Sequence, residues 1–129
     1  MPVPPLDPDV AARIAALGSI PSMRSRGIEA VRAGVEAMPA PESMPAMAQI
    51  EDLTISGPYG PLDLRVYRPT VDSAAPAMVY LHGGGLAMGS NRSFEPLARN
   101  LAMSSGATVI AVDYRLAPEW AAPVQVEEA

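Results

Sequence analysis

A single histidine and a run of glycines carry the chemistry legible in this sequence. His82-Gly83-Gly84-Gly85 follows the apolar stretch Ala77-Met78-Val79-Tyr80-Leu81, and a further glycine stands at position 89. Glycine takes positive φ without a Cβ penalty and lets a ligand approach the main chain, so a turn of this kind presents bare N–H groups. N–H groups held in place stabilise the oxyanion that develops when a carbonyl is attacked. Other site chemistries lack their residues. The chain has no cysteine, and all nine of its basic residues are arginine. Disulfides, thiolate metal sites, a Cys nucleophile, a phosphate-loop lysine and a Schiff base are therefore excluded. The glycines do not fit the Gly-x-Gly-x-x-Gly spacing of a dinucleotide loop. One histidine with scattered carboxylates gives no metal set, so no metal and no cofactor are expected.

The bounds are those of one small packed domain. Of 129 residues, 49 % are hydrophobic and the net charge is −5. With a pI of about 4.7 and no basic run, neither nucleic acid nor an anionic membrane surface is a favoured partner. Arg24, Arg26 and Arg32 are expected on a solvated helix face. No apolar run approaches the roughly 20 residues of a membrane helix, and the opening Met1-Pro-Val-Pro-Pro-Leu-Asp lacks the pattern of a secretory leader. The expected location is the cytoplasm. Oligomeric state is not legible.

The elements that must position the glycine turn follow from periodicity. Asp7-Pro8 reads as a helix cap and first turn, with Val10, Ile14 and Leu17 at helical spacing before Gly18. A second helix is predicted from Ser25, with Ile28, Val31, Val35 and Met38 on one face, although Gly27 and Gly34 each weaken it by about 1 kcal/mol relative to alanine. Prolines at 39, 41 and 45 then impose an irregular connector in which Met38, Met44 and Met47 pack. Beyond it the period changes to two. Leu53 and Ile55, a turn at Gly57-Pro-Tyr-Gly-Pro61, and Leu62, Leu64 and Val66 predict an antiparallel hairpin with one wet face, Tyr59 being exposed at its tip. After a loop from Pro69 to Pro76, the unbroken apolar run 77–81 predicts an interior strand covered on both faces. Ser93 is expected to cap a helix presenting Phe94, Leu97 and Leu101, Gly106 to stop it, and 107–112 to return as a second buried strand, giving a parallel crossover. Tyr80 and Tyr114 read as core or supporting residues.

The paired motifs His82-Gly-Gly-Gly85 and Asp113-Tyr114-Arg115-Leu-Ala-Pro-Glu119, each after an apolar strand, resemble the hormone-sensitive-lipase-like branch of the α/β-hydrolases. The glycine motif is the type of loop that contributes half of a lipase or esterase oxyanion hole. The resemblance covers essentially the whole chain and implies an α/β fold. Residues 1–48 would be cap-type helices with a Pro-rich connector, and 49–129 the first part of the core: an antiparallel hairpin, then a parallel strand-helix-strand unit with an incomplete sheet. It implies ester hydrolysis through a Ser-Asp-His triad in that chain order. Gly84 and Gly85, with Gly83, would offer N–H groups to the oxyanion, and His82 would brace the loop without being the triad base. Asp113 to Glu119 would be structural, Arg115 and Glu119 holding the loop after the strand through charged hydrogen bonds.

Departures from the family pattern set the expected limit of function. The nucleophile elbow is Gly-x-Ser-x-Gly, yet the only glycines four apart are Gly85 and Gly89, with Ala87 midway. No second imidazole exists to act as base, so Ser90, Ser93, Ser104 and Ser105 keep weakly nucleophilic hydroxyls. Leu86 stands where the family has an aromatic, and Trp120-Ala-Ala-Pro123 replaces a His and aromatic-Pro-Ala-Ala run. The strand at 107–112, followed by so little chain, is expected to be an unpaired sheet edge. The chain therefore reads as a catalytically incomplete N-terminal fragment of a carboxylic ester hydrolase, with a small ester as substrate only once completed. Two alternatives are a non-catalytic module binding a small ligand, by analogy with plant gibberellin receptors of similar sequence, and a non-functional truncated product.

Overall fold

The computed structural model describes residues 5–19, 21–72 and 74–129, so Met1–Pro4, where a leader was sought, lie outside it. The first helix, α1 (Pro8–Ala16), starts as its sequence dictates: the Asp7 carboxylate accepts the Asp9 N–H at 2.9 Å, and Pro8 occupies the first turn, where its missing N–H leaves nothing unpaired. No residue of α1 is buried, and Ile14 on its apolar stripe is 52 % exposed. The second predicted helix is two helices. Ser22 caps the single turn α2 (Met23–Arg26), Gly27 turns the chain at φ 77°, and α3 (Ile28–Glu36) starts afresh. The glycine read as a weak point inside a helix is the joint between two, because its free φ makes a break cheaper than continuation. Met38 falls beyond α3 and is exposed rather than packed, while Met47 packs on the core. Residues 39–47 are irregular, as their prolines require.

The hairpin forms, from β1 (Gln49–Gly57) and β2 (Gly60–Arg68), with Leu53 opposite Leu64 and Gly57 opposite Gly60, but without the single wet face its alternation predicts. β1 is an outer strand whose Leu53 and Ile55 are 38 % and 46 % exposed, while Tyr67, in the set expected to be wet, is fully buried. β2 is the deeper strand, burying Leu62, Val66 and Tyr67. Then come β3 (Ala77–Leu81), α4 (Glu95–Ser105) and β4 (Thr108–Val112), with β3 and β4 parallel and Ala77 opposite Thr108.

The sheet order, β1-β2-β4-β3, reverses the positions the sequence assigns to the two apolar strands. β4, expected at an edge, pairs antiparallel with β2 on one side and parallel with β3 on the other; Thr108, Val109, Ala111 and Val112 are buried. β3, expected inside, is the outer strand, and its Val79 is 59 % exposed. Both runs have the same unbroken apolar pattern, so hydropathy cannot rank them; strand order does. Among the described residues, no strand pairs with the outer side of β3.

α4 ends as expected, Gly106 at φ 70° donating its N–H to the Ala102 carbonyl at 2.9 Å. Its start differs. Phe94 occupies the cap position with no side-chain bond, because the Ser93 hydroxyl is already taken up by the Ser90 N–H at 2.9 Å. Its buried face is Ala98 and Ala102, small enough to bring the helix close to the sheet, while Leu97 points outward. Tyr67, Ala98, Ala102, Val109 and Ala111 form the main core, and one further turn of helix, α5 (Val124–Glu127), closes the described chain. Among the described residues no helix is long and apolar enough to cross a membrane.

Candidate functional site

β3 delivers the chain to His82, whose buried ring is stacked between Phe94, with centroids 5.5 Å apart, and Tyr114, at 4.4 Å. Nδ1 lies 2.9 Å from the Gly83 carbonyl, and because a carbonyl only accepts, Nδ1 is assigned the proton. Nε2 is buried with no hydrogen-bond partner among the described residues, 3.9 Å from Asp113 Oδ1. With both ring faces covered and both nitrogens inside the fold, the imidazole has no room for a nucleophile beside it.

The turn that follows requires glycine at two positions. Gly84 has φ 128°, and a Cβ there would lie 2.0 Å from the Met88 carbonyl oxygen; Gly89 has φ 94°, and a Cβ there would meet Gly83 O, His82 Nδ1 and Phe94 Cε2 at 2.9 Å each. The Gly84 carbonyl accepts the N–H groups of Ala87 and Met88, both at 3.2 Å, which closes the turn. Leu86 takes φ 59°, the left-handed region that favours glycine, and is held there by the Ala117 N–H donating to its carbonyl at 2.8 Å. Among the described residues no protein acceptor takes the N–H of Gly83, Gly84 or Gly85.

The segment after β4 divides its work among three neighbours. Tyr114, buried, donates its hydroxyl to the His82 carbonyl at 2.7 Å, and Asp113 accepts the Asn91 N–H at 3.1 Å, so these two face the glycine turn. Asn91, which the sequence reading passes over, also donates its side chain to Ala111 O at 3.2 Å. Arg115 faces away. Its N–H and guanidinium bind the Glu128 carboxylate, the guanidinium also donates to Tyr59 O at 2.9 Å and Pro61 O at 3.2 Å, and it lies over the Trp120 ring. Tyr59 is exposed at the hairpin tip as expected, and it also packs against Trp120 with centroids 6.0 Å apart and donates to Glu127.

Glu119 turns toward α3, where both its oxygens meet the Arg32 guanidinium at 2.8 Å. Arg32 is therefore not on the solvated face with Arg24 and Arg26, which are exposed. The signal was in the spacing. Arg32 stands four residues after Ile28 and three before Val35, so it shares their face of the helix. The hydrogen bonds from Arg32 hold the Glu119 carboxyl down to about 2. A depressed folded-state value means that the pair stabilises the fold above the ordinary glutamate range, and that this contribution is lost as pH falls toward 2. NMR titration of the Glu119 carboxyl is expected to inflect near that value and, in Arg32→Ala, to return to the usual glutamate range, about 4.3. An ordinary inflection in the parent protein would show the ion pair is not formed.

Comparisons with known proteins follow the same lines. Residues 78–129 match the family described as alpha/beta hydrolase fold. Esterase LipI of Mycobacterium tuberculosis is 40 % identical over 106 residues, which are 80 % of this chain and 33 % of that protein. An esterase of Pyrobaculum calidifontis superposes with a TM-score of 0.78 at 36 % identity, over 96 % of this chain and 40 % of its own. The chain belongs to the α/β-hydrolases, in the hormone-sensitive-lipase-like branch of esterases and lipases. Ethyl acetate hydrolase of Pseudomonas putida is a further relative, 45 % identical over 84 residues that make up 62 % of this chain and 26 % of that enzyme. This α/β-hydrolase chain thus spans a third or less of these curated relatives. Beside its glycine turn lies an open, mostly apolar groove of about 360 Å³, lined by Met23, Arg24, Gly27, Ile28, Val31 and Met88.

Proposed function

We propose that residues 82–89 form the oxyanion-binding half of a carboxylic ester hydrolase site, with 1–48 as the cap and 49–129 as the start of the catalytic core. The observation that carries it is a set of three unpaired backbone N–H groups, at Gly83, Gly84 and Gly85, on a turn whose backbone admits no side chain at position 84. When a nucleophile attacks an ester carbonyl, charge moves to the carbonyl oxygen, and N–H groups already in place take it up without reorganising. Gly84 and Gly85 are assigned as donors, with Gly83 beside them. His82 and Tyr114 brace the turn, Asp113 secures Asn91 behind it, and Arg115 and Glu119 fix the segment that supports it. The groove at Met23 and Met88 suits a small acyl or alcohol group, which makes a short-chain ester the substrate class. No cofactor enters the reaction, and a cytoplasmic location belongs to the same proposal.

These 129 residues hold no elbow serine and no free imidazole. Losing the nucleophile or base of a serine-hydrolase triad lowers kcat by about a millionfold, and a single oxyanion donor is worth on the order of 3 kcal/mol, so the donors alone cannot sustain turnover. Purified as it stands, the 129-residue chain is expected to show no hydrolysis of p-nitrophenyl acetate or butyrate above buffer, whereas the polypeptide extended through its downstream reading frame is expected to turn both over. Turnover by the short chain would reveal a nucleophile outside this scheme. A folded but inactive extended polypeptide would remove the esterase function altogether.

A further inference from the structure

We propose that Arg32 is a positioning residue for the glycine turn, setting from α3 the direction in which the Gly85 N–H points. What that N–H does rests on the esterase function above; the clamp itself rests on geometry. Arg32 Nε donates to the Ala87 carbonyl at 2.7 Å and Nη2 to the Ala117 carbonyl at 2.7 Å, while the two Nη groups hold Glu119. Among the described residues no other donor reaches either carbonyl. The three acceptor residues lie 55, 85 and 87 positions away along the chain, so one partly buried guanidinium joins three segments.

The coupling to the oxyanion donor runs through one peptide plane. Ala87 donates to the Gly84 carbonyl, and in a trans peptide the Gly84 C=O and the Gly85 N–H point in opposite directions, so holding the carbonyl inside the turn aims the N–H outward. Leu86, between them, keeps a positive φ that a side-chain-bearing residue retains only when its surroundings impose it. Its restraint is the Ala117 N–H, and Ala117 is held in turn through its carbonyl by Arg32. The turn and the 117 segment are thus a ring closed by the guanidinium. Lysine, a compact point charge, cannot bridge two carbonyls and a carboxylate in this way.

The test is made on the full gene product with Arg32→Ala and Arg32→Lys. Amide hydrogen exchange is expected to quicken on the order of tenfold or more at Ala87, Met88 and Ala117 in both variants, with Val109–Val112 unchanged. Hydrolysis of p-nitrophenyl butyrate is expected to lose about 100-fold in kcat because the donor is misplaced, with a smaller rise in KM because Met88, which loosens with the turn, also lines the groove. Lysine is not expected to rescue either readout. Unchanged exchange at Ala87 and Ala117 would overturn the clamp, and so would loss of protection spreading to β4 in both variants, because Arg32 would then support the fold at large. Faster exchange in the turn with kcat unaltered would uphold the clamp and place the fault in the oxyanion role of the loop.

Discussion

Gly84→Ala is expected to destroy the turn, lowering kcat of the full gene product by about 100- to 1,000-fold, the loss that follows removal of an oxyanion donor. The cause is steric. A Cβ at position 84 would lie 2.0 Å from the Met88 carbonyl oxygen and 2.8 Å from its carbon, and those atoms are backbone fixed by the turn's own hydrogen bonds. The residue also sits at φ 128°, which side-chain-bearing residues rarely adopt. Backbone strain of this kind costs on the order of 1–3 kcal/mol even before the collision is counted. Gly85→Ala is the informative control. It too has positive φ, at 62°, but its Cβ would meet nothing within 4 Å. It should cost only about 1–2 kcal/mol in the left-handed region and leave its own N–H in place. Thermal melting and steady-state kinetics on the two variants separate the cases, and equal effects at both positions would contradict the collision.

The second large effect lies in the core beneath the turn. Tyr67 and Val109 are the largest side chains fully buried, and Tyr67 stands where β2, β4 and α4 meet. Truncating an aromatic to alanine in such a place costs about 3–5 kcal/mol, against a total stability of about 5–15 kcal/mol for a typical domain. Tyr67→Ala is expected to leave little folded protein in a urea titration. Tyr67→Phe should cost less than about 1 kcal/mol, because the bond from the hydroxyl to the Asn91 carbonyl is long, at 3.4 Å. Burial pushes the Tyr67 hydroxyl up to about 12, so it stays protonated throughout the working pH range and no ionisation complicates the comparison. A large loss in the phenylalanine variant would mean that the hydroxyl, not the ring, organises this part of the core.

The features readable in the sequence are those fixed by a few neighbouring residues. The cap at Asp7, the stop at Gly106 and the turn that pairs β1 with β2 are local patterns, and each forms where its residues dictate. The covered face of the hairpin, which leaves Leu53 and Ile55 exposed and buries Tyr67, is not such a pattern. The glycine turn was legible for the same reason: positions 84 and 89 carry a backbone demand that only glycine meets. What the sequence left hidden was decided at a distance. The edge and interior positions of β3 and β4 depend on strand order, which two identical apolar patterns cannot express. The partners of Arg115 and Glu119 were unreadable because charge identifies a side chain's needs without saying which segment supplies them; one turns to Glu128 and the hairpin turn, the other to α3. Arg32 is the intermediate case. Its place on the Ile28 and Val35 face was in the spacing, but a charge on an apolar stripe reads as solvated until the carbonyls waiting for it are known.

The most direct measurement on the oxyanion role of this loop uses the isotope-labelled full gene product reacted with a phosphonate ester that mimics the tetrahedral intermediate. As the anionic oxygen takes up hydrogen bonds, the amide protons of Gly84 and Gly85 are expected to move downfield together, because charge-assisted bonds to an oxyanion are shorter and stronger than those to water. Complete adduct formation that leaves both amide protons where they stood would contradict it.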